Sequence, residues 1–171
     1  MTNWRQVLDD ARLAWCRVWL ALMALCSLPA FAEDSDARSL DQMFERGKLQ
    51  IATPDARLHT FDIWVADDDE RRARGLMFVK HLDEDAGMLF IYPRAMPISM
   101  WMKNTYVSLD MLFVRADGRI ERIVENTKPL SLDTIESKAP VLAVIELAAG
   151  SAARLKIRSG AQVIHPAFPT R

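Results

Sequence analysis

Between residues 48 and 166 the chain is cut into short apolar segments, each closed by proline, glycine or an aspartate-glycine pair. Leu49-Gln50-Ile51 alternates apolar with polar, Thr53-Pro54-Asp55 is a turn signal, and residues 59–65 alternate again. This is the period-2 pattern of strands and a connecting turn. Residues 87–93 and 141–147 are near-continuous apolar runs, the composition of strands buried on both faces. Residues 107–114 and 119–125 flank Asp117-Gly118, a strong hairpin signal. Residues 98–103 alternate and predict a further strand, residues 161–164 predict a last one, and residues 148–155 predict a short helical turn.

Only residues 67–74 carry a clear helix signal. Acids fill the first turn, arginines fill the last, and Gly75 stands where a left-handed cap belongs. The spacing predicts ion pairs from Asp67 to Arg71, Asp68 to Arg72 and Glu70 to Arg74. Residues 127–140 read as a long connection containing Pro129 and Pro140. With no regular strand-helix-strand rhythm, the expected class is α+β and mostly β: a small barrel or a sandwich of about seven or eight short strands with one or two short helices.

The N-terminus follows a different logic. Arg5, Arg12 and Arg17 precede an uncharged run, residues 18–28, which Pro29 closes. Ala30 and Ala32 then place small residues three and one before Glu33, the pattern of a signal-peptidase site. Residues 1–32 are therefore expected to be a cleaved signal peptide. The apolar stretch falls short of the ~20 residues of a membrane-spanning helix, so no stable membrane span is expected after processing. Leu25 before Cys26 is too large for a lipoprotein cleavage site. The expected organisation is then a flexible lead-in over residues 33–47, one domain over 48–166 and a tail over 167–171.

Cleavage would leave 139 of the 171 residues and remove both cysteines, Cys16 and Cys26. No disulfide framework or cysteine-ligated zinc could then hold the domain. Three of the 22 basic and two of the 23 acidic residues lie in the leader, so 19 basic stand against 21 acidic beyond it. Such a balance gives no basic stripe for nucleic acid and no polybasic segment for an anionic membrane. The expected location is the periplasm or the external medium.

The residues best suited to chemistry cluster in Met100-Trp101-Met102-Lys103-Asn104-Thr105 and Leu109-Asp110. Asp110 sits among Leu109, Met111, Leu112 and Phe113, and a buried carboxylate needs a partner. Were Asn104-Thr105 the turn between two antiparallel strands, Lys103 would approach Asp110, with Arg74 as the rival cation. That arrangement reads either as a structural ion pair or as a site. As a site, Arg74, Trp101, Lys103, Asn104, Thr105 and Asp110 would line one mouth of the domain and suit a sugar, a peptide end or a small anion.

These stretches, with Arg74-Gly75-Leu76-Met77-Phe78, Gly87-Met88-Leu89-Phe90, Asp117-Gly118-Arg119-Ile120 and Val144-Ile145-Glu146-Leu147-Ala148-Ala149-Gly150, resemble the family known as domain of unknown function 192. The resemblance runs from about Leu49 to about Ile164. It implies a small, β-rich, mostly single-domain protein that often carries an export leader and has no established activity. Two departures stand out: members often have proline where this chain has Ser108, and Gly-Asp where it has Gly160-Ala161.

Two other function classes have less support. Six of the nine methionines fall between residues 77 and 111, and Met96, Met100 and Met102 form a candidate thioether set for Cu(I). A methionine-rich stripe is more often core filler. For catalysis, there is no Gly-x-Ser-x-Gly elbow and no phosphate-cradling loop, and His59, His81 and His165 are scattered. Lys103 would be a base only with a lowered pKa. The sequence thus points to an exported, cofactor-free, non-catalytic domain that binds a small ligand or an envelope protein between Trp101 and Asp110 and the loop 127–140. A purely structural role in envelope assembly is the alternative.

Overall fold

Apolar side chains alternate with polar ones along residues 45–52 and 58–64 and run almost unbroken along residues 86–91, 109–114 and 141–148, and the ladder these strands form is the frame on which everything else is placed. The computed structural model describes residues 33–168. The chain divides into two compact units after Ser35, and residues 36–168 belong to the second. The expected signal peptide lies outside the described residues.

The elements run α1 (Glu33–Asp41), β1 (Glu45–Ala52), β2 (Leu58–Ala66), α2 (Asp69–Arg74), β3 (Ala86–Met96), β4 (Ser99–Met100), β5 (Leu109–Val114), β6 (Ile120–Val124), β7 (Ile135–Glu136), β8 (Val141–Ala148), α3 (Ser151–Leu155) and β9 (Gln162–Ile164). Seven strands form one sheet in the order β6-β5-β8-β3-β2-β1-β9, while β4 and β7 pair separately. Every neighbouring pair is antiparallel except β2 with β3, which the α2 crossover makes parallel.

The two edge strands come back together. Arg119 bridges Gln162, Val163 N–H donates to Gly118 C=O at 2.8 Å, and Ile120 N–H donates to Ala161 C=O at 2.9 Å. The sheet is therefore a nearly closed barrel rather than a sandwich, and its edges are largely removed from solvent. Ala161, one of the two departures from the family pattern, lies buried in this seam. Ser108, the other, donates its hydroxyl to Thr127 C=O at 2.7 Å.

Strand alternation sorts the core into two layers. Leu49, Ile51, Phe61, Ile63, Leu89, Leu112, Val114, Ile120, Ala143, Ile145, Leu147 and Val163 draw on all seven barrel strands and fill the interior. On the outer face, Trp64, Met88, Phe90, Met111, Phe113 and Val144 are covered by Leu40, Phe44, Leu76, Val79, Ile98 and Met102. The α1 segment and the connections around α2 and β4 therefore make a second hydrophobic layer, which the candidate site occupies.

Four expectations need correction. Residues 33–47 are not a flexible lead-in, because Leu40 in α1 and Phe44 just beyond it are 2% and 4% exposed, and β1 begins at Glu45. Phe44 N–H donates to Leu40 C=O at 2.9 Å, and Asp41 accepts the Trp64 indole N–H at 2.8 Å. The tail is docked as far as Phe168, 3% exposed in the barrel core. The strand expected over residues 98–103 shortens to β4, whose partner is β7, a strand inside the supposed loop 127–140. In α2 the Asp67–Arg71 pair forms at 3.1 Å, but Arg71 also takes Asp68 and Arg72 takes Asp69 at i, i+3, while Arg74 turns to backbone carbonyls.

Candidate binding site

Asp68 begins the site's architecture by capping α2, accepting Arg71 N–H at 2.8 Å. Gly75 ends that helix at φ 47°, and a Cβ there would meet the Phe90 ring at 3.1 Å. The chain can thus turn tightly over the outer face of β3 and aim Arg74 beside Leu76 and Met77. From the other side, the turn 102–105 closes with Thr105 N–H donating to Met102 C=O at 3.1 Å. Asn104 takes φ 56°, a left-handed conformation that asparagine tolerates. The loop 127–140 braces this turn: Met102 N–H reaches Ser131 C=O and Leu130 N–H reaches Thr105 C=O, both at 3.1 Å.

Between these walls lies a pocket of about 120 Å³, where Arg74, Trp101, Lys103 and Thr105 converge with Arg72, Tyr92 and Glu146. Lys103 holds its ammonium 5.0 Å from the Trp101 ring centroid. Arg74 lies 5.2 Å from the Phe78 ring and donates to the carbonyls of Gly75 and Met77, and burial lowers its pKa from the ordinary value. Arg72 is committed to Asp69 at 2.5 Å and to the Ile91 carbonyl, with its guanidinium 5.3 Å from the Tyr92 ring. Burial foremost raises the Tyr92 pKa, with Arg72 opposing and Glu146 adding to the shift. The Tyr92 hydroxyl donates to the Met100 sulfur at 3.6 Å.

Glu146 is the residue that sequence reasoning passed over. It projects from the outer face of β8 between Met88 and Met111 in the flanking strands, and is 5% exposed. Its carboxyl makes no hydrogen bond or ion pair among the described residues, and desolvation by burial raises its pKa from 4.5 to about 8. A buried carboxyl in that state is largely neutral at pH 7, and its O–H is a donor. The signal was present in the sequence as one acid inside the otherwise apolar run 141–147.

Asp110 and Lys103 do not meet. Asp110 is fully buried on the inner face of β5, where one oxygen accepts Asn126 N–H and the other Ala152 N–H, each at 2.9 Å. Lys103 stands at the pocket on the outer face. The expected approach required β4 to pair with β5, and β4 pairs with β7 instead. Asn104 stands behind the mouth, its carbonyl accepting Phe78 N–H at 2.8 Å and its amide 3.9 Å from the Met77 sulfur.

The three methionines of the thioether set have different settings. Met102 is sealed, its sulfur 3.2 Å from the Thr127 hydroxyl. Met100 receives the Tyr92 hydroxyl, and Met96 is 39% exposed.

A family model described as "Uncharacterized ACR" matches residues 50–165, most of the chain. The chain belongs to the DUF192 family. Two solved structures are similar to the chain. A Sinorhizobium meliloti protein provisionally named a transcription regulator is 38% identical, with a TM-score of 0.71, over 72% of this chain and 96% of its own. A Novosphingobium aromaticivorans protein of unknown function is 31% identical, with a TM-score of 0.69, over 71% of this chain and 86% of its own. None of the curated proteins matches the sequence. Among the described residues of this DUF192 chain, no helix is long and apolar enough to cross a membrane.

Proposed function

We propose that this DUF192 protein is an exported, soluble, non-catalytic domain that binds a small ligand in the pocket beneath Trp101 and Lys103. One observation carries the reading: Arg74 from the end of α2 and Trp101, Lys103 and Thr105 from the segment 101–105 line one pocket with Glu146, whose carboxyl makes no hydrogen bond or ion pair among the described residues. A ligand that hydrogen-bonds this carboxyl supplies the partner that the fold does not. Backbone strain supports the same reading. Phe78 and Leu130 take φ 70° and 61°, and both donate their N–H to the 102–105 turn. Left-handed geometry in bulky residues is retained where surrounding structure enforces it, commonly at ligand sites.

Export rests on the leader signal of residues 1–32. N-terminal sequencing of the protein after cell fractionation tests it. A chain beginning at Glu33 outside the cytoplasm is expected; a cytosolic chain retaining its first residues overturns export. Binding is tested by thermal stability across glycans, muropeptides and small anions, with Lys103→Ala and Trp101→Ala alongside. A ligand-dependent rise in wild type that both variants lose is expected, and equal shifts in all three proteins overturn the site.

A second reading, an assembly role in the envelope, draws on one feature. Phe78, Tyr106, Leu130 and Leu132 are 45–68% exposed, and the backbone contacts of the 102–105 turn hold them near one another. Sedimentation of wild type and Leu132→Ser distinguishes the readings, because an assembly surface gives a larger species that the variant loses.

A further inference from the structure

Charge and size narrow what the pocket accepts, on the assumption that it binds a small ligand as proposed above. Three cations line it, Arg72, Arg74 and Lys103, against one acid, Glu146. Of the three, Arg72 is paired with Asp69, whereas Arg74 and Lys103 have no acidic partner among the described residues. A protein whose acids and bases nearly balance has left two cations without counterions around one cavity. That field attracts anions and repels amines.

The floor agrees with the rim. Glu146 lies between Met88 and Met111 and is 5% exposed, and burial there favours the neutral acid with its O–H. An O–H bonded to an anionic oxygen is among the stronger hydrogen bonds available to a protein. The cavity, about 120 Å³, falls below the range of about 300–1,000 Å³ for drug-sized ligands. It suits one compact charged group rather than an oligosaccharide or a folded peptide. Lys103, held over Trp101, leaves one face of that ring occupied by its own cation.

We infer that the ligand is a small oxyanion, of carboxylate or phosphate type, whose oxygens are met by the carboxyl of Glu146 at the floor and by Arg74 and Lys103 at the rim. The carboxyl gives one donor, the guanidinium and ammonium give charge, and Thr105 completes the wall. Binding moves no covalent bond.

The test uses protein purified after expression of the full chain, in a buffer free of oxyanions, titrated with acetate and with inorganic phosphate. Ethylammonium and galactose serve as cationic and neutral comparisons. Binding is followed by calorimetry and by backbone amide NMR shifts. The expected result is that an oxyanion binds, perturbs residues 74–77, 101–105 and 146, and loses roughly tenfold in affinity in Lys103→Ala. Acetate against phosphate identifies which source is preferred. Glu146→Gln, which keeps an N–H donor, retains binding within about threefold, whereas Glu146→Leu loses it. Binding of ethylammonium or galactose at these residues, with neither oxyanion bound, overturns the anion assignment and leaves the pocket reading intact. No perturbation by any of the four probes overturns both.

Discussion

Asp110 accepts the backbone N–H of Ala152 at 2.9 Å across 42 positions of sequence, and so caps a helix to which it does not belong. Helix α3 begins after Gly150, which has no side chain to supply the usual cap. A strand residue on the barrel's inner face supplies it instead, while its second oxygen holds Asn126 N–H at 2.9 Å. Removing the carboxylate leaves two donors unsatisfied, at about 1–3 kcal/mol each. Asp110→Ala is expected to lose about 2–5 kcal/mol in urea unfolding, and Asp110→Asn about half as much, since its oxygen satisfies one donor. Neither variant changes ligand affinity in protein that remains folded; an affinity loss without a stability loss would return Asp110 to the site.

Gly118 governs closure of the barrel. At φ 77° its Cβ would stand 2.4 Å from the Gln162 amide and 2.9 Å from the Val163 carbonyl. Gly118→Ala therefore has to push β9 away from the β5–β6 turn, at an expected cost of about 2–3 kcal/mol from the left-handed backbone and overpacking combined. Hydrogen exchange at Val163, Ile120 and Gly160 reads the seam directly, because their amides bond across it. Faster exchange in the variant at these three than elsewhere is expected, and uniform protection would contradict the closure.

The α1 segment is structural. Leu40→Ala leaves a hole in the outer hydrophobic layer and is expected to destabilise by about 2–4 kcal/mol. A chain started at Lys48 also loses Phe44 and the Asp41 acceptor of Trp64, and its unfolding midpoint should fall further than that of Leu40→Ala. An unchanged midpoint would restore the flexible lead-in that composition suggested.

How much could be read from the chain followed the range of the interaction. The turn at Thr53, the cap at Asp68, the stop at Gly75 and the hairpin at Asp117-Gly118 are set within four residues, and their local chemistry names them. Burial of β3 and β8 follows from composition alone. The partner of Asp110 did not follow, because it depends on which strand β4 pairs with, a choice made by residues 135 and 136 more than thirty positions away. Glu146 was visible as an anomaly in an apolar run, yet only the outer layer around Met88, Tyr92 and Met100 shows that it ends in a pocket. Leu40 and Phe44 were hidden in an acidic stretch whose composition outweighed two apolar residues.

Glu146 makes stability depend on pH with a definite sign. Its folded pKa, about 8, lies above the ordinary 4.5, so between those values the folded protein binds more protons than the unfolded chain. Below pH 4.5 this group carries no penalty. Stability falls as pH rises from about 5 to 8 and then levels off. Each tenfold difference in proton affinity between the folded and unfolded chain is worth about 1.4 kcal/mol, so the loss amounts to a few kcal/mol. Glu146→Gln removes this component, so urea midpoints at pH 5, 7 and 8.5 should converge for the variant and decline for wild type. Parallel profiles would place the burden on other groups.

The most direct measurement is the carbon NMR titration of the Glu146 carboxyl, followed from pH 4 to 10 with and without acetate or phosphate. A midpoint near 8 is expected in the free protein, moved upward when an oxyanion occupies the pocket and favours the protonated acid. A midpoint near 4.5, insensitive to either anion, would contradict both the neutral floor and the anion site built on it.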